Sequence, residues 1–497
     1  MSEHKLPKMS SSGGDFLSLV RHSAVYGVAR MALSGIDLVF LPVYARVLSP
    51  SEYGLVAVGT SLLAVFSILY TFGLDGAFGR LFFTAPDESD EQRSVFGGIL
   101  VGMLAVGLPV SGALIAAGPA RFGVLLRGVS ERFFVLLVLI ALFNLLPLLW
   151  LQLLQVRRRP VEYLLTSVAF AFGRSVSTIG AVVLMHRGAD GWAEAYLATA
   201  LIASAAATVF LRPYLRFSNT ASVLRSALPF SLPLFVHQAA AWLAGSAGRL
   251  LLNALVPLAA VGTYQVAYSL GQGVSLITTA VNFAYAPAFM AAAERSPEEA
   301  SVDFGRFATI YLKMLFFLAV LVALFRVPIV RLVATPELVA AAPILPIVLA
   351  TFVTQGIYFV LVNPIFFHKA SVRVLPFLTI GGAVIGLSGL ALMVPRIGVA
   401  GAAWASLVAN VAVTVIAYPL SQRSLRLAYD LTGLGLVGVA GIAIILGSYL
   451  LSSCMAGPSG ELLLSSILAA SYTAFVAKVM GISPSRVLAA LRAQESS

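Results

Sequence analysis

One cysteine, five histidines and only 21 acidic residues in 497 positions exclude several classes of protein. Cys454 has no second cysteine to pair with, and no cluster of cysteines, histidines and carboxylates has the spacing of a metal site. Neither a metal nor another cofactor is expected. Charged residues make up 11% of the chain against 59% hydrophobic ones, and mean hydropathy is +0.95. A soluble domain of this length cannot cover its surface with so few charges. No connection between apolar runs exceeds roughly twenty residues, so none can fold as a soluble domain. The longest lie near Asp75–Ser94 and Ala291–Arg306. The net charge of +11 and pI of 9.9 would suggest nucleic acid only if the basic residues clustered. They are scattered through short loops, which excludes a nucleic-acid partner and reads as membrane topology.

What the chain does have is a series of apolar runs, each about 20 residues long, enough to cross a bilayer as a helix. We read about fourteen: 17–42, 54–75, 95–117, 132–155, 161–185, 191–212, 227–252, 258–285, 307–327, 341–366, 373–394, 399–420, 432–453 and 461–480. The fold class is therefore all-α, a polytopic bundle. Lysine and arginine fall roughly 21 to 8 in favour of the side that holds the N-terminus, which predicts both termini in the cytoplasm. The run Arg157–Arg159 reads as a topology anchor on that side.

Two stretches hint at an internal repeat. ARVLSPSEYGLVAVGTSLL (45–63) follows the first span, and NALVPLAAVGTYQVAYSLG (253–271) follows the seventh. Each has a proline, then a glycine four or five residues on, then a new span; the match needs a one-residue gap. Two pseudo-symmetric six-helix lobes around a central cavity follow, as in many secondary transporters. The expected layout is a tail over 1–16, an N-lobe over 17–212 and a linker over 213–226. A C-lobe over 227–420, an appended helix pair over 421–480 and a tail over 481–497 complete it.

Charges inside the spans are the functional candidates, because burying one in lipid costs about 2.5–3.5 kcal/mol or more. Arg30 and Asp37 share one face of the first span, with Arg174 in the fifth and Arg249 in the seventh. Polar residues also recur at helical spacing. In the eighth span they are Gln265, Tyr268, Gln272, Ser275, Thr279 and Asn282; in the seventh, Gln238, Trp242, Ser246, Arg249 and Asn253. Interhelical hydrogen bonding is the bland account of such groups. A six-member stripe favours a hydrated cavity instead, and three buried guanidinium groups against one carboxylate favour anions, phosphates above all. Asp37 and His237 are the gate or coupling candidates. His237 aligns with Arg30 if Pro50 is matched to Pro257, and Asp37 and Arg249, at equal expected depth, are candidates to pair across an outer gate.

HSAVYGVARMALSGIDLVFLPVYARVLSPSEYGLVAVGTSLL (22–63) and GLDGAFGRLFF (73–83) resemble the opening of bacterial polysaccharide transporters of the O-antigen flippase type. These belong to the multidrug, oligosaccharidyl-lipid and polysaccharide exporter superfamily. AVGTYQVAYSLG and PRIGVAGAAWASLVAN resemble later span connections of the same family. The resemblance implies a two-lobed bundle in the bacterial inner membrane, working by alternating access. Its cargo would be an oligosaccharide linked to undecaprenyl diphosphate, with Arg30 and Arg249 matching the arginines that hold the diphosphate. A polysaccharide polymerase is the implied partner, and H+ or Na+ the implied coupling ion. Lipopolysaccharide O-antigen, capsule and exopolysaccharide all remain open as products. The competing readings are a multidrug exporter of the same superfamily, which would want buried carboxylates, and a membrane polymerase or glycosyltransferase, which would want a catalytic loop. A purely structural membrane subunit would not need the polar stripes.

Overall fold

The computed structural model describes residues 13–84, 89–368, 371–452 and 457–481; the side chains before residue 31, and those of residues 244, 371 and 372, lie outside that description. Cys454 and most of both expected tails also lie outside it. Every regular element among the described residues is helical. A first set comprises α1 (Gly13–Val47), α2 (Pro50–Thr71), α3 (Leu74–Thr84), α4 (Asp90–Ala117), α5 (Glu131–Phe143), α6 (Leu145–Val156), α7 (Pro160–Ile179) and α8 (Gly188–Leu211). A second set comprises α9 (Thr220–Gly245), α10 (Ala247–Leu255), α11 (Leu258–Arg295), α12 (Pro297–Leu324), α13 (Arg326–Val333), α14 (Leu345–Phe367), α15 (Leu375–Ile397) and α16 (Ala400–Ser424). Then follow α17 (Leu431–Ser452) and α18 (Gly457–Val479).

Twelve of the described helical segments are long and apolar enough to cross a membrane, and the bent pair α9–α10 makes thirteen. Outside that count stands α1, 35 residues and about 52 Å long at 1.5 Å per residue, which carries Arg30 and Asp37. The protein is a multi-pass membrane protein. Val39, Leu184 and Leu450 are 70%, 79% and 75% exposed, a degree of apolar surface that only lipid can cover.

Local chemistry sets the boundaries. Ser49 accepts from the backbone of Glu52 while the Glu52 carboxylate accepts from the backbone of Ser49, a capping box that starts α2 next to Pro50. Phe72 and Gly73 both take left-handed backbone, which ends α2 and turns the chain into α3. Ser130 caps α5 in the same way as Ser49 caps α2, accepting from Phe133. The two connections expected to be the longest are largely helical. The first contains α3, and α11 continues to Arg295 before α12 begins at Pro297. Ser296 caps α12 and Pro297 suits its first position, signals that hydropathy alone passes over.

Packing sorts the helices into two lobes. In the first, α1 packs on α7, α7 and α5 on α8, and α2 on α4 and α5; in the second, α14 packs on α11, α12 and α16, and α15 on α16 and α9. The pair α17–α18 packs on α12. The lobes meet where α2 crosses α11. A Cβ on Gly54 would sit 2.0 Å from the Leu258 carbonyl oxygen, and one on Gly262 would sit 2.0 Å from that of Pro50. Only glycine allows backbones this close. The two stretches read as a repeat are therefore the two sides of one reciprocal contact. It pairs Gly54 with Gly262 and Pro50 with Leu258, so Pro257 stands where Ser49 does, just before its helix. The same register carries Arg30 onto Gln238, not onto His237 as the Pro50–Pro257 match had it.

Candidate functional site: a polar crevice between the lobes

The helix α11 separates two spaces. On one side a crevice of about 320 Å3 runs between α1 and α11; Ser34 and Asp37 face Ser269, Gln272, Ser275 and Thr279 across it. On the other side, inside the second lobe, a cavity of about 410 Å3 is lined by Arg249, Tyr264, Tyr268, Thr351, Gln355 and Asn410 among others. One hydrogen bond spans the septum: Ser275 Oγ, on the crevice, donates to Gln355 Oε1, on the cavity, at 3.3 Å.

The spacing rule correctly finds a polar face on α11, but that face serves three purposes. Gln272, Ser275 and Thr279 look into the crevice. Tyr268 looks into the second-lobe cavity. Asn282 accepts from Asn363 of α14 at 3.1 Å, and Gln265 donates to Ser269 at 2.9 Å. These last two are interhelical and intrahelical packing bonds.

The three described in-span charges do not share one chamber. Arg30 lies on α1, and its side chain is outside the described residues. Arg174 Nη2 donates to Asp37 Oδ1 at 2.9 Å, and its guanidinium carbon lies 5.3 Å from the ring centre of Tyr196. That pair joins α7 to α1 within the first lobe. It replaces the expected Asp37–Arg249 gate in this conformation, for a physical reason. Asp37 lies ten residues before the end of α1, and Arg174 ten before Leu184, where the π-helical continuation of α7 (Gly180–Leu184) ends, so two packed helices that run the same way bring them to one height. Arg249 instead donates to Ser61 Oγ at 3.2 Å and lies 5.0 Å from the ring centre of Tyr268. Among the three described in-span charges, it is the cation that lines a cavity. The Asp37 side chain is 66% exposed in the crevice, although paired.

The seventh-span series proves to be a lobe-to-lobe seam, which periodicity could not reveal. Gln238 Nε2 donates to Asp75 Oδ2 at 3.0 Å, Trp242 Nε1 to the Ser61 carbonyl at 3.2 Å, and Arg249 to Ser61 Oγ. Asn253, 1% exposed, donates to the carbonyls of Leu125 and Arg127 at 3.0 and 3.1 Å. His237, in the same helix, is exposed and away from both spaces. Ser61 and Asp75, the acceptors on the first lobe, were not singled out as site residues. The hint was present in Asp75, a carboxylate directly after an apolar span.

At the end of the molecule where α1 terminates, the lobes are tied by one backbone bond and one from a side chain to backbone. Thr335 N–H donates to the Ala45 carbonyl at 3.1 Å, and Arg46 donates to the Leu332 carbonyl. With the Gly54–Gly262 crossing and the Asn253 bonds, the crevice is closed on that side.

A family described as polysaccharide biosynthesis protein matches residues 19–293. No curated protein matches the sequence. Among solved structures, the chain is similar to a lipid II flippase, MurJ, in an inward closed conformation. The identity is 11%, the match covers 91% of this chain and 98% of that one, and the TM-score is 0.69. It is also similar to an inward-facing multidrug resistance MATE family transporter of the MOP superfamily, at 16% identity, 79% and 94% coverage and a TM-score of 0.64. An outward-facing structure of such a transporter gives 15% identity, 81% and 95% coverage and a TM-score of 0.51. These likenesses define the fold.

Proposed function

The chain belongs to the polysaccharide biosynthesis protein family, and from that premise we propose that it flips a lipid-linked oligosaccharide across the bacterial inner membrane. The cargo is carried on undecaprenyl diphosphate and moves from the cytoplasmic to the outer leaflet by alternating access. The observation that carries this reading is the polar crevice between two lobes, sealed at one end by backbone contacts and bordered by a cavity that holds Arg249. The glycan, rich in hydroxyls, exchanges water for Ser34, Gln272, Ser275 and Thr279 without large cost, because each offers both donors and acceptors or a rotatable hydroxyl. The lipid tail stays in the bilayer beside the crevice. Arg249, on the seam, supplies a guanidinium that stays charged and can clamp a phosphate bidentately once Ser61 releases it. Opening the far side requires the Gln238, Trp242, Arg249 and Asn253 bonds to part, so cargo binding must offset them. H+ or Na+ coupling through Asp37, and delivery to a polysaccharide polymerase, belong to the same proposal.

One observation favours a second reading. Among the described residues, Asp37 is the charged side chain lining the crevice, and an exposed carboxylate suits a cationic drug. Its pairing with Arg174 weakens that case, since the pair is neutral as a whole. The test is export of labelled lipid-linked oligosaccharide by vesicles containing Arg249→Ala. Flipping is expected to fall about tenfold or more, the scale of a lost charge-assisted clamp, with normal insertion. Wild-type flipping would remove Arg249 from the site. Transport of cationic dyes with no flipping would establish the exporter instead.

A further inference from the structure

Three arginines from two separate connections converge on a cavity outside the crevice. It measures about 370 Å3 and lies among α3, the first turns of α4, the end of α6 and the Pro213–Tyr214 segment after α8. Arg93, Arg157 and Arg159 line it, and among the described residues none that lines it is acidic.

A topology anchor needs only a number of positive charges on one side. The Arg157–Arg159 run has more order than that. Arg158 takes left-handed backbone, φ 54°, a conformation uncommon for a residue with a side chain. It does not line the cavity, whereas the arginines on both sides of it do. The guanidinium of Arg157 lies 4.3 Å from the ring centre of Tyr214, in cation–π geometry. Among the described residues no carboxylate lies within ion-pair distance of Arg157. The other two have weak claims on them. Arg159 meets Glu162 at 3.3 Å with both side chains about half exposed, and Arg93 is 3.9 Å from Asp90, which Arg216 engages more closely. Such exposed pairs contribute little and exchange readily. Phe82, Phe96 and Leu153 form the apolar wall behind the three guanidinium groups.

A basic rim over an apolar wall, where transmembrane helices end, suits an anion attached to a hydrocarbon tail. We propose that this cavity binds the phosphate headgroup of an anionic bilayer lipid. The site is separate from the crevice, and the inference stands whatever cargo crosses there.

The test uses the full-length purified protein in phosphatidylcholine micelles titrated with fluorescent phosphatidylglycerol. Arg157→Gln with Arg159→Gln is expected to weaken binding about tenfold, the scale of two lost charge-assisted bonds. Arg158→Gln removes one positive charge from the same loop, as each of those two substitutions does, and is expected to change binding less than about twofold, as a screened exposed charge does. Thermal midpoints in phosphatidylcholine alone check folding. Should the double variant fold poorly, Arg93→Gln, on a different connection, carries the test with an expected severalfold loss. Binding unaffected by these changes overturns the site. So does an equal loss in Arg158→Gln, which would reduce the effect to net charge. Inorganic phosphate is the third arm: if it binds as tightly, with the same arginine dependence, the ligand is a free oxyanion and the lipid assignment fails.

Discussion

Two polar stripes with the same helical spacing lie on neighbouring elements of the second lobe, and they do opposite things. On α9–α10 the stripe is spent. Gln238, Trp242, Arg249 and Asn253 each donate to a named acceptor on the first lobe. On α11 the stripe is partly idle. Gln272, Ser275 and Thr279 face an open crevice, and one of the three has a partner across the septum. Sequence periodicity locates a polar face but does not say whether protein or cargo will occupy it. The difference comes from the neighbour: the first lobe supplies acceptors to each member of the first stripe named above, while α1, which packs on α11, leaves a crevice open beside the second.

The comparison is broken most severely by forcing the lobes apart. Gly262→Val places a side chain where the Pro50 carbonyl oxygen now lies, with no flexible neighbour to yield. We expect loss of transport and a large rise in thiol labelling of a cysteine placed at Ala45, measured with Cys454 replaced by serine. Unchanged labelling would mean that the crossing is not the seal.

Next come the stripes themselves. Asn253→Leu removes the buried donor that two carbonyls share and should cost about 1–3 kcal/mol, read as a lower thermal midpoint together with easier opening. Gln272→Leu is expected to leave stability within about 0.5 kcal/mol of wild type, as surface changes do, while flipping falls severalfold. The opposite result, a loss of stability with normal flipping, would make the α11 stripe another packing face and erase the contrast.

The in-span ion pair follows. Asp37→Asn should cost no more than about 1 kcal/mol of stability, because the pair is partly exposed. A double swap, Asp37→Arg with Arg174→Asp, should recover more transport than either single change, whereas a swap of Asp37 with Arg249 should recover none. Recovery by the second swap would mean that a different conformation brings those two together.

The fold was largely legible. Apolar runs of membrane length gave the spans, while the caps that set their ends, such as Ser49 before Pro50, emerged with the structure. The site was legible only in part. Asp37 was found because charge is rare in lipid, and Gln272, Ser275 and Thr279 because they recur at helical spacing. That Asp37 pairs with Arg174 was not legible, since it depends on which helices become neighbours, and heights along a helix constrain this without deciding it. The α3 helix was missed for a different reason. It is short and amphipathic, so a window tuned to long apolar runs reads it as loop. His237 was singled out because of a repeat alignment one residue out of step, an error that only the Gly54–Gly262 contact could correct.

The smallest predicted effect lies at the edge of the bundle. Lys313 of α12 donates to Asp430 at 2.7 Å and holds its carboxyl below the usual carboxylate range. A carboxyl lowered by folding contributes stability that is present above its unfolded value, about 3.9, and is lost as pH falls through the folded value. Asp430→Asn should therefore lower the midpoint slightly at neutral pH, and the difference should close in acid. A difference that persists at low pH would assign the effect to packing.

That bond is one of several fixing α17 and α18 to α12 and α13. Arg326 donates to Ser448 at 2.8 Å, Arg331 to Glu461 at 2.7 Å and Ser465 to the Leu324 carbonyl at 2.9 Å. The pair is thus clamped at several heights to one wall of the second lobe and borders neither the crevice nor the cavity beside it. It offers a place to attach a reporter: a fluorophore or an affinity module joined to α18 would ride with that lobe as a pointer, reporting its tilt without obstructing the passage.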